Sequence, residues 1–270
     1  MVNQSMASNL KIQSNGIRVN CQIAGPKGAP WLIFGNSHAT DLSMWDAQIS
    51  HFSQKFRVLT YDQRGHGNTD APKGGYSFGE LIDDLVGLMD SLDITTTSYC
   101  GLSMGGATGL GLALRFPNRV SRLVVCDSPC ISNPASSAQW DERVYIARSE
   151  GMNSLVDSTL VRWIPSERLD ANPPHVQKIR QMILGTPVDG YIGCAIALSN
   201  HDFRTNLRSL TVPVLFVVGG LDGVLPTAMR EMNKEVSGSH FVEISGAGHI
   251  SNMDEPDVFN LAVSDFLNLQ

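Results

Sequence analysis

The sequence contains no long apolar run, no block of basic residues and no obvious leader segment. Its longest apolar stretch, Val212–Val218, is too short to cross a bilayer. The net charge of −6, without a basic cluster, disfavours nucleic acid and anionic membranes as partners. The first ten residues, MVNQSMASNL, lack the basic and apolar segments of a signal peptide, so we predict a cytoplasmic protein.

Cysteine is scarce, and its spacing does not fit a metal site. The five cysteines are odd in number, and several lie in apolar runs, so we expect reduced, buried thiols. Cys126 and Cys130 alone would make an incomplete metal site. The glycines at 101, 105 and 106 do not form the G-x-G-x-x-G pattern of a dinucleotide site. We therefore expect no metal and no cofactor.

The 270 residues are 42% apolar, which is enough for one large core. Short apolar runs alternate with helical patterns, which predicts a mostly parallel α/β sheet with crossover helices. The turn signal Ser14-Asn-Gly16 predicts an antiparallel start to this sheet. Ser77 and Glu80 form a capping box before a helix. The predicted strands are Ile17–Ile23, Trp31–Phe34, Phe56–Tyr61, Thr97–Cys100, Val120–Cys126, Val212–Val218 and His240–Ile244.

The alternation stops in the middle of the chain. Between about Pro129 and Leu210 the pattern is helical, and the strand signal returns at Val212. Ligands of such sheets bind beyond the carboxyl ends of the strands, where an insertion would form a lid. We therefore predict a core of residues 1–128 and 211–270, with residues 129–210 as an inserted helical cap.

The stretch Cys100–Gly106, CGLSMGG, contains a G-x-S-x-G pattern between a predicted strand and a predicted helix. Small residues on both sides allow a tight turn that lifts the Ser103 hydroxyl above the sheet. The starting helix also offers free backbone N–H groups to a developing anion. This context favours a nucleophile elbow over a glycine-rich helix start with a capping serine.

A serine nucleophile needs a base, and the base needs an acid to orient it. Where a G-x-S-x-G serine stands between a strand of a parallel sheet and a helix, the order along the chain is nucleophile, acid, histidine. Asp222 and His249 follow the two last predicted strands in that order, so we predict the triad Ser103, Asp222 and His249. Asp127, which directly follows the predicted strand Val120–Cys126, stays an alternative acid. Asp222→Asn should then cost orders of magnitude in turnover, and Asp127→Asn should not.

Several stretches of the chain together match one known family. They are NSHATDLSMWD, YDQRGHGNTD, GLSMGG, the region Trp140–Arg143 with Gly151-Met152, and GHISNMDEP. From about Lys11 to Leu269 the chain resembles the α/β-hydrolase superfamily, and within it the 3-oxoadipate enol-lactonases. The resemblance implies a mostly parallel eight-stranded sheet flanked by helices, the triad named above, and the opening of an enol-lactone that bears a carboxylate.

The loop after the predicted strand Trp31–Phe34 departs from that group, which usually has Asn-Ser-Leu-Gly where this chain has Asn36-Ser-His-Ala39. By its position, His38 would donate its backbone N–H to the oxyanion, together with Met104. The His38 side chain would line the acyl pocket or accept a polar substrate group. This departure, and an aspartate at 127, leave the exact lactone or ester undetermined.

The remaining predictions concern the pocket and the class of function. Trp163 is predicted to line the pocket, and a cap arginine is expected to bind a substrate carboxylate. Acyl-homoserine lactonase, general carboxylesterase and a slow-turnover ligand receptor on the same fold stay open as alternatives. A small-molecule ester or lactone is the expected partner, and a homo-oligomer stays open. The arginine candidates are Arg143, Arg148, Arg162 and Arg180.

Overall fold

The computed structural model describes residues 8–268, so most of the segment examined for a signal peptide lies outside the described residues. Eight strands form one sheet in the order β1-β2-β4-β3-β5-β6-β7-β8. The predicted fold class is confirmed. The strands are β1 Ser8–Ser14, β2 Ile17–Ala24, β3 Trp31–Gly35, β4 Arg57–Tyr61, β5 Thr97–Leu102, β6 Val120–Cys126, β7 Val214–Gly219 and β8 His240–Ile244.

The sheet begins antiparallel and continues parallel. Strands β1 and β2 form a hairpin whose turn residues, Asn15 and Gly16, have φ angles of 43° and 81°. Two successive positive φ values define a turn whose twist matches that of the flanking strands. Strand β2 also pairs antiparallel with β4, and every later pair in the sheet is parallel. The hairpin predicted from the turn signal is therefore present.

Helices cover both faces of the sheet. The capping box is present at the start of α2, where Ser77 and Glu80 each bind the other's backbone N–H. Five helices, α4 to α8, lie between β6 and β7. The helices are α1 Asp46–Phe52, α2 Phe78–Ser91, α3 Met104–Arg115, α4 Pro134–Glu150, α5 Val156–Trp163, α6 Ser166–Ala171, α7 Pro174–Gly185, α8 Val188–Ser199, α9 Leu225–Glu235, α10 Ser251–Asp254 and α11 Pro256–Asn268.

Strand residues alternate between two apolar clusters, one on each face of the sheet. In β3, Ile33 packs in one cluster, and Leu32 and Phe34 pack in the other. This follows from the two-residue period of a strand that is buried on both faces. All five cysteines are buried, and none forms a disulfide.

The parallel strands place their carboxyl ends along one edge of the sheet. The segments that carry the predicted site residues follow β3, β5, β6, β7 and β8 there. Within residues 8–268, no single helix is long and apolar enough to cross a membrane. The bent pair of α7 and α8 meets that length and composition only when both helices are taken together.

Candidate active site

Ser103 occupies a strained turn between β5 and α3. Its φ and ψ are 55° and −114°, a conformation that L-residues rarely adopt. Its backbone N–H donates to the carbonyl of Cys126 at 2.8 Å, which ties the turn to β6. A Cβ at Gly101 would collide with the Gly105 carbonyl, and one at Gly105 with the Gly35 carbonyl. The glycines of the motif are therefore required by the close approach of the backbone.

Ser103, His249 and Asp222 are joined by hydrogen bonds in one chain. His249 Nδ1 lies 2.7 Å from Asp222 Oδ2, and His249 Nε2 lies 3.0 Å from Ser103 Oγ. Because an ionised carboxylate can only accept, Nδ1 carries the hydrogen and Nε2 is left to accept from the serine hydroxyl. The geometry is that of a nucleophile, a general base and an orienting acid.

Trp163, the last residue of α5, contacts His249 through both its backbone and its ring. The His249 backbone N–H donates to the Trp163 carbonyl at 2.8 Å. The two rings stack, with centroids 5.5 Å apart and an interplanar angle of 27°. Trp163 itself is buried and lines the cavity above Ser103. The end of α5 therefore takes part in positioning the His249 imidazole.

Asp127, the alternative acid, has different partners. Its carboxylate accepts from the Gly219 N–H at 2.7 Å and from the Ser251 hydroxyl at 2.5 Å. Burial and the neighbouring Asp222 carboxylate raise the pKa of Asp127 well above its usual range. The side chain thus joins the ends of β6 and β7 to the segment after His249, and it is Asp222 that contacts the imidazole.

The loop after β3 brings the backbone N–H of His38, a residue that lines the cavity, to the site. The N–H groups of Ser37, Ala39 and Thr40 are bound by Met44 Sδ, His66 Nε2 and the Ser37 carbonyl, respectively. The N–H of His38 donates to none of the residues 8–268. Met104 is the first residue of α3, so its N–H has no acceptor within the helix.

A buried polar network supports this loop, and sequence reasoning did not anticipate it. Asn36 Oδ1 accepts from the Gln63 backbone N–H at 3.1 Å, and Gln63 Nε2 donates to the Asn36 carbonyl at 2.6 Å. Thr108 of α3 donates to Gln63 Oε1 at 2.9 Å. His66 accepts from the Ala39 N–H at 2.9 Å. The segment YDQRGHG therefore fixes the loop after β3 against α3.

A cavity of about 280 Å³ lies above Ser103, between the sheet edge and helices α4 and α5. Side chains from the loop after β3, from α4 and from α5 line it together with the hydrogen-bonded Ser103, Asp222 and His249. Its lining includes His38, Ser103, Trp140, Arg143, Arg162, Trp163, Asp222 and His249. The predicted substrate-binding residues His38 and Trp163 are both in its wall.

Two of the four candidate arginines line this cavity. Arg143 donates from Nε to the Tyr191 hydroxyl at 2.9 Å and also contacts the Thr159 hydroxyl. Arg162 lies over the Trp140 ring, with its guanidinium carbon 5.6 Å from the centroid. Desolvation and the nearby Arg143 lower the pKa of Arg162 to about 10, so it stays charged at neutral pH.

The other two candidates lie elsewhere. Arg180 pairs with Asp157 at 2.8 Å, and Arg148 is exposed and does not line the cavity. Among residues 8–268, neither cavity arginine has a carboxylate partner. No three His, Cys, Asp or Glu side chains of this range are grouped so as to hold a metal ion.

Comparisons with known proteins agree with this architecture. A family model described as the alpha/beta hydrolase fold matches residues 30–256. The 3-oxoadipate enol-lactonase 2 of Acinetobacter baylyi is 33% identical over 252 residues, which cover 93% of this chain and 94% of that protein.

Solved structures extend the comparison to the backbone. The enol-lactonase of Burkholderia xenovorans LB400 superposes with a TM-score of 0.92 at 37% identity, covering 96% of this chain and 100% of that one. A thermophilic esterase from Thermogutta terrifontis gives 0.90 at 28% identity, with 97% and 98% covered. The chain therefore belongs to the α/β-hydrolase family and is similar to the 3-oxoadipate enol-lactonases.

Proposed function

We propose that this chain is a cytoplasmic serine hydrolase that opens a lactone or cleaves a carboxylic ester through an acyl-enzyme. The observation that carries the proposal is the hydrogen-bonded chain Asp222–His249–Ser103 at a cavity of small-molecule size. Its expected partner is a small molecule, with neither nucleic acid nor membrane involved. A 3-oxoadipate enol-lactone-like substrate is the first candidate, because relatives of that name match nearly the whole chain.

The reaction begins at the serine hydroxyl. His249 Nε2 takes the Ser103 proton as Oγ attacks the ester or lactone carbonyl, and the resulting imidazolium is stabilised by Asp222. When the tetrahedral intermediate collapses, the alkoxide or enolate leaves, and an acyl ester on Ser103 remains. Water then attacks that ester with His249 as base again, which releases the carboxylate and restores the hydroxyl.

The carbonyl oxygen becomes negative during both steps. In the proposed mechanism the N–H groups of His38 and Met104 donate to it, which is consistent with the lack of another acceptor for either group in the described part of the chain. The loss of one such donor typically costs about a hundred- to a thousandfold in kcat. The network of Asn36, Gln63 and Thr108 keeps the His38 N–H in place before substrate arrives.

A negatively charged substrate is favoured by the cations of the cavity. Arg143 and Arg162 repel each other, and a substrate carboxylate between them would remove that repulsion. We also propose residues 129–210 as a cap on a core of residues 1–128 and 211–270. Both arginines, and the pocket side chain of Trp163, come from helices of that segment.

A hydrolysis screen tests this proposal. The wild type and Ser103→Ala are assayed with 3-oxoadipate enol-lactone, acyl-homoserine lactones and short p-nitrophenyl esters. We expect many turnovers by the wild type and loss of nearly all turnover in Ser103→Ala. A single burst without further turnover would identify a ligand receptor instead. Enol-lactone opening that is slower than simple ester cleavage by orders of magnitude would exclude the enol-lactonase assignment.

A further inference from the structure

The side chain of His38 is enclosed among aromatic rings at the cavity wall. It is only 2% exposed, and its ring lies 4.3 Å from that of Tyr191 and 5.2 Å from that of Trp140. It also lies 5.3 Å from the His66 ring. An imidazole packed in this way keeps one orientation, so its two nitrogens can be assigned separate roles.

One of the two ring nitrogens of His38 forms a hydrogen bond within the protein. His38 Nε2 lies 2.9 Å from the Tyr191 carbonyl oxygen, which can only accept, so Nε2 carries the hydrogen. Burial and the neighbouring His66 lower the pKa of His38 well below its usual range, which keeps the ring neutral. The hydrogen on Nε2 leaves a lone pair on Nδ1, and no donor within residues 8–268 meets it.

The free acceptor belongs to the residue whose backbone N–H is proposed to bind the oxyanion. Only Cα, Cβ and Cγ separate that nitrogen from Nδ1, so the acceptor lies beside the acyl carbonyl. An apolar acyl chain at this point would leave a buried acceptor without a partner. Sites built to accept from a substrate hydroxyl reject analogues that lack it.

We propose that His38 is a specificity-determining residue whose Nδ1 accepts a hydrogen bond from a hydroxyl group on the acyl part of the substrate. The inference rests on the proposed serine hydrolase function and narrows its substrate class. Among the esters and lactones of that class, we therefore expect those with a hydroxyl close to the carbonyl to be hydrolysed with the higher kcat/KM.

Two substitutions of His38 separate its two nitrogens. In His38→Asn, the amide oxygen falls near the position of Nδ1, so the acceptor is retained and the Tyr191 contact is lost. In His38→Gln, the longer amide reaches the Tyr191 carbonyl, and the acceptor beside the substrate is lost. Both variants keep the backbone N–H of residue 38, so neither removes the oxyanion donor.

The assay compares kcat/KM for p-nitrophenyl 3-hydroxybutanoate and p-nitrophenyl butanoate, which differ by one hydroxyl. Dividing each variant's ratio by the wild-type ratio cancels the intrinsic reactivity of the two esters. We expect the ratio to fall about ten- to a hundredfold in His38→Gln and less than threefold in His38→Asn. Equal ratios in all three proteins would overturn the proposal.

A second measurement uses the wild type alone and does not depend on the folding of a variant. 3-Hydroxybutanoate should inhibit competitively at a concentration about tenfold lower than butanoate does. Equal inhibition would count against the acceptor role of His38. Failure of the proposed function looks different, because the wild type would then show no sustained turnover of either ester that Ser103→Ala abolishes.

Discussion

His66 makes the loop after β3 sensitive to acid. Its ring is fully buried, Nε2 accepts from the Ala39 N–H at 2.9 Å, and Nδ1 lies 3.1 Å from the Arg64 carbonyl. Nδ1 therefore carries the hydrogen and the ring is neutral. If Nε2 were protonated, its N–H would face the Ala39 N–H in a buried site without an acceptor between them. Desolvation lowers the pKa of His66 to about 4.

The direction in which stability changes with pH follows from the pKa of His66 in the folded and the unfolded chain. Unfolded His66 titrates near its ordinary pKa of about 6.5, so below that pH the unfolded chain binds a proton that the folded chain does not. Stability from this group is complete above pH 6.5 and falls as the pH drops toward 4. Each pH unit in this window costs about 1.4 kcal/mol, which gives about 2 kcal/mol by pH 5.

Urea unfolding at pH 7.5 and pH 5 measures this loss. His66→Gln is the matched control, because its side-chain oxygen can accept from the Ala39 N–H without titrating. Every other titratable group is shared, so we expect the wild type to lose about 2 kcal/mol more than the variant over this range. The same pH dependence in both proteins would refute the assignment of a neutral, buried His66.

Three further outcomes are expected. Asp222→Asn should lower kcat about 10⁴-fold, because the amide would reverse the imidazole tautomer of His249, whereas Asp127→Asn should keep most activity. Steady-state ester hydrolysis measures both variants, and equal losses of kcat would contradict the proposed triad. Arg162→Gln should narrow the kcat/KM preference for a carboxylated ester over its neutral counterpart at least tenfold; an unchanged preference excludes a carboxylate-binding role. Asp254→Ala should lower the free energy of unfolding by about 1–3 kcal/mol, because the Gly248 N–H and the side chains of Arg168 and His175 lose a buried partner. The exposed Asp257→Ala should stay within about 0.5 kcal/mol, and equal values for both would contradict this.

The parts of the site that follow local patterns were predictable from the sequence. Ser103 lies in a motif whose glycines are required by nearby backbone, and Asp222 and His249 follow apolar runs that became β7 and β8. The carboxyl ends of parallel strands meet at one edge, so their order along the chain was enough to group them. Asp127 follows a strand in the same way, and only its contacts with Gly219 and Ser251 separate it from Asp222.

The supporting network could not be predicted in the same way. Gln63 and Thr108 are 45 residues apart, and their hydrogen bond depends on how a loop and a helix meet in space. The sequence also does not predict which arginines face the cavity. Helix α4, PASSAQWDERVYIARSE, has polar residues around its whole circumference, so its sequence does not indicate that Arg143 faces the cavity and Arg148 does not.

The contacts of Trp163 tie helix α5 to His249. The Trp163 carbonyl accepts from the His249 N–H, and the Trp163 ring stacks on the imidazole. Asp222 contacts the same imidazole through Nδ1, so the ring is held from two parts of the chain. If residues 129–210 are the proposed cap and His249 is the proposed base, a cap that moved away as one body would break the Trp163 contacts. Under that proposal, substrate entry must leave the end of α5 in place.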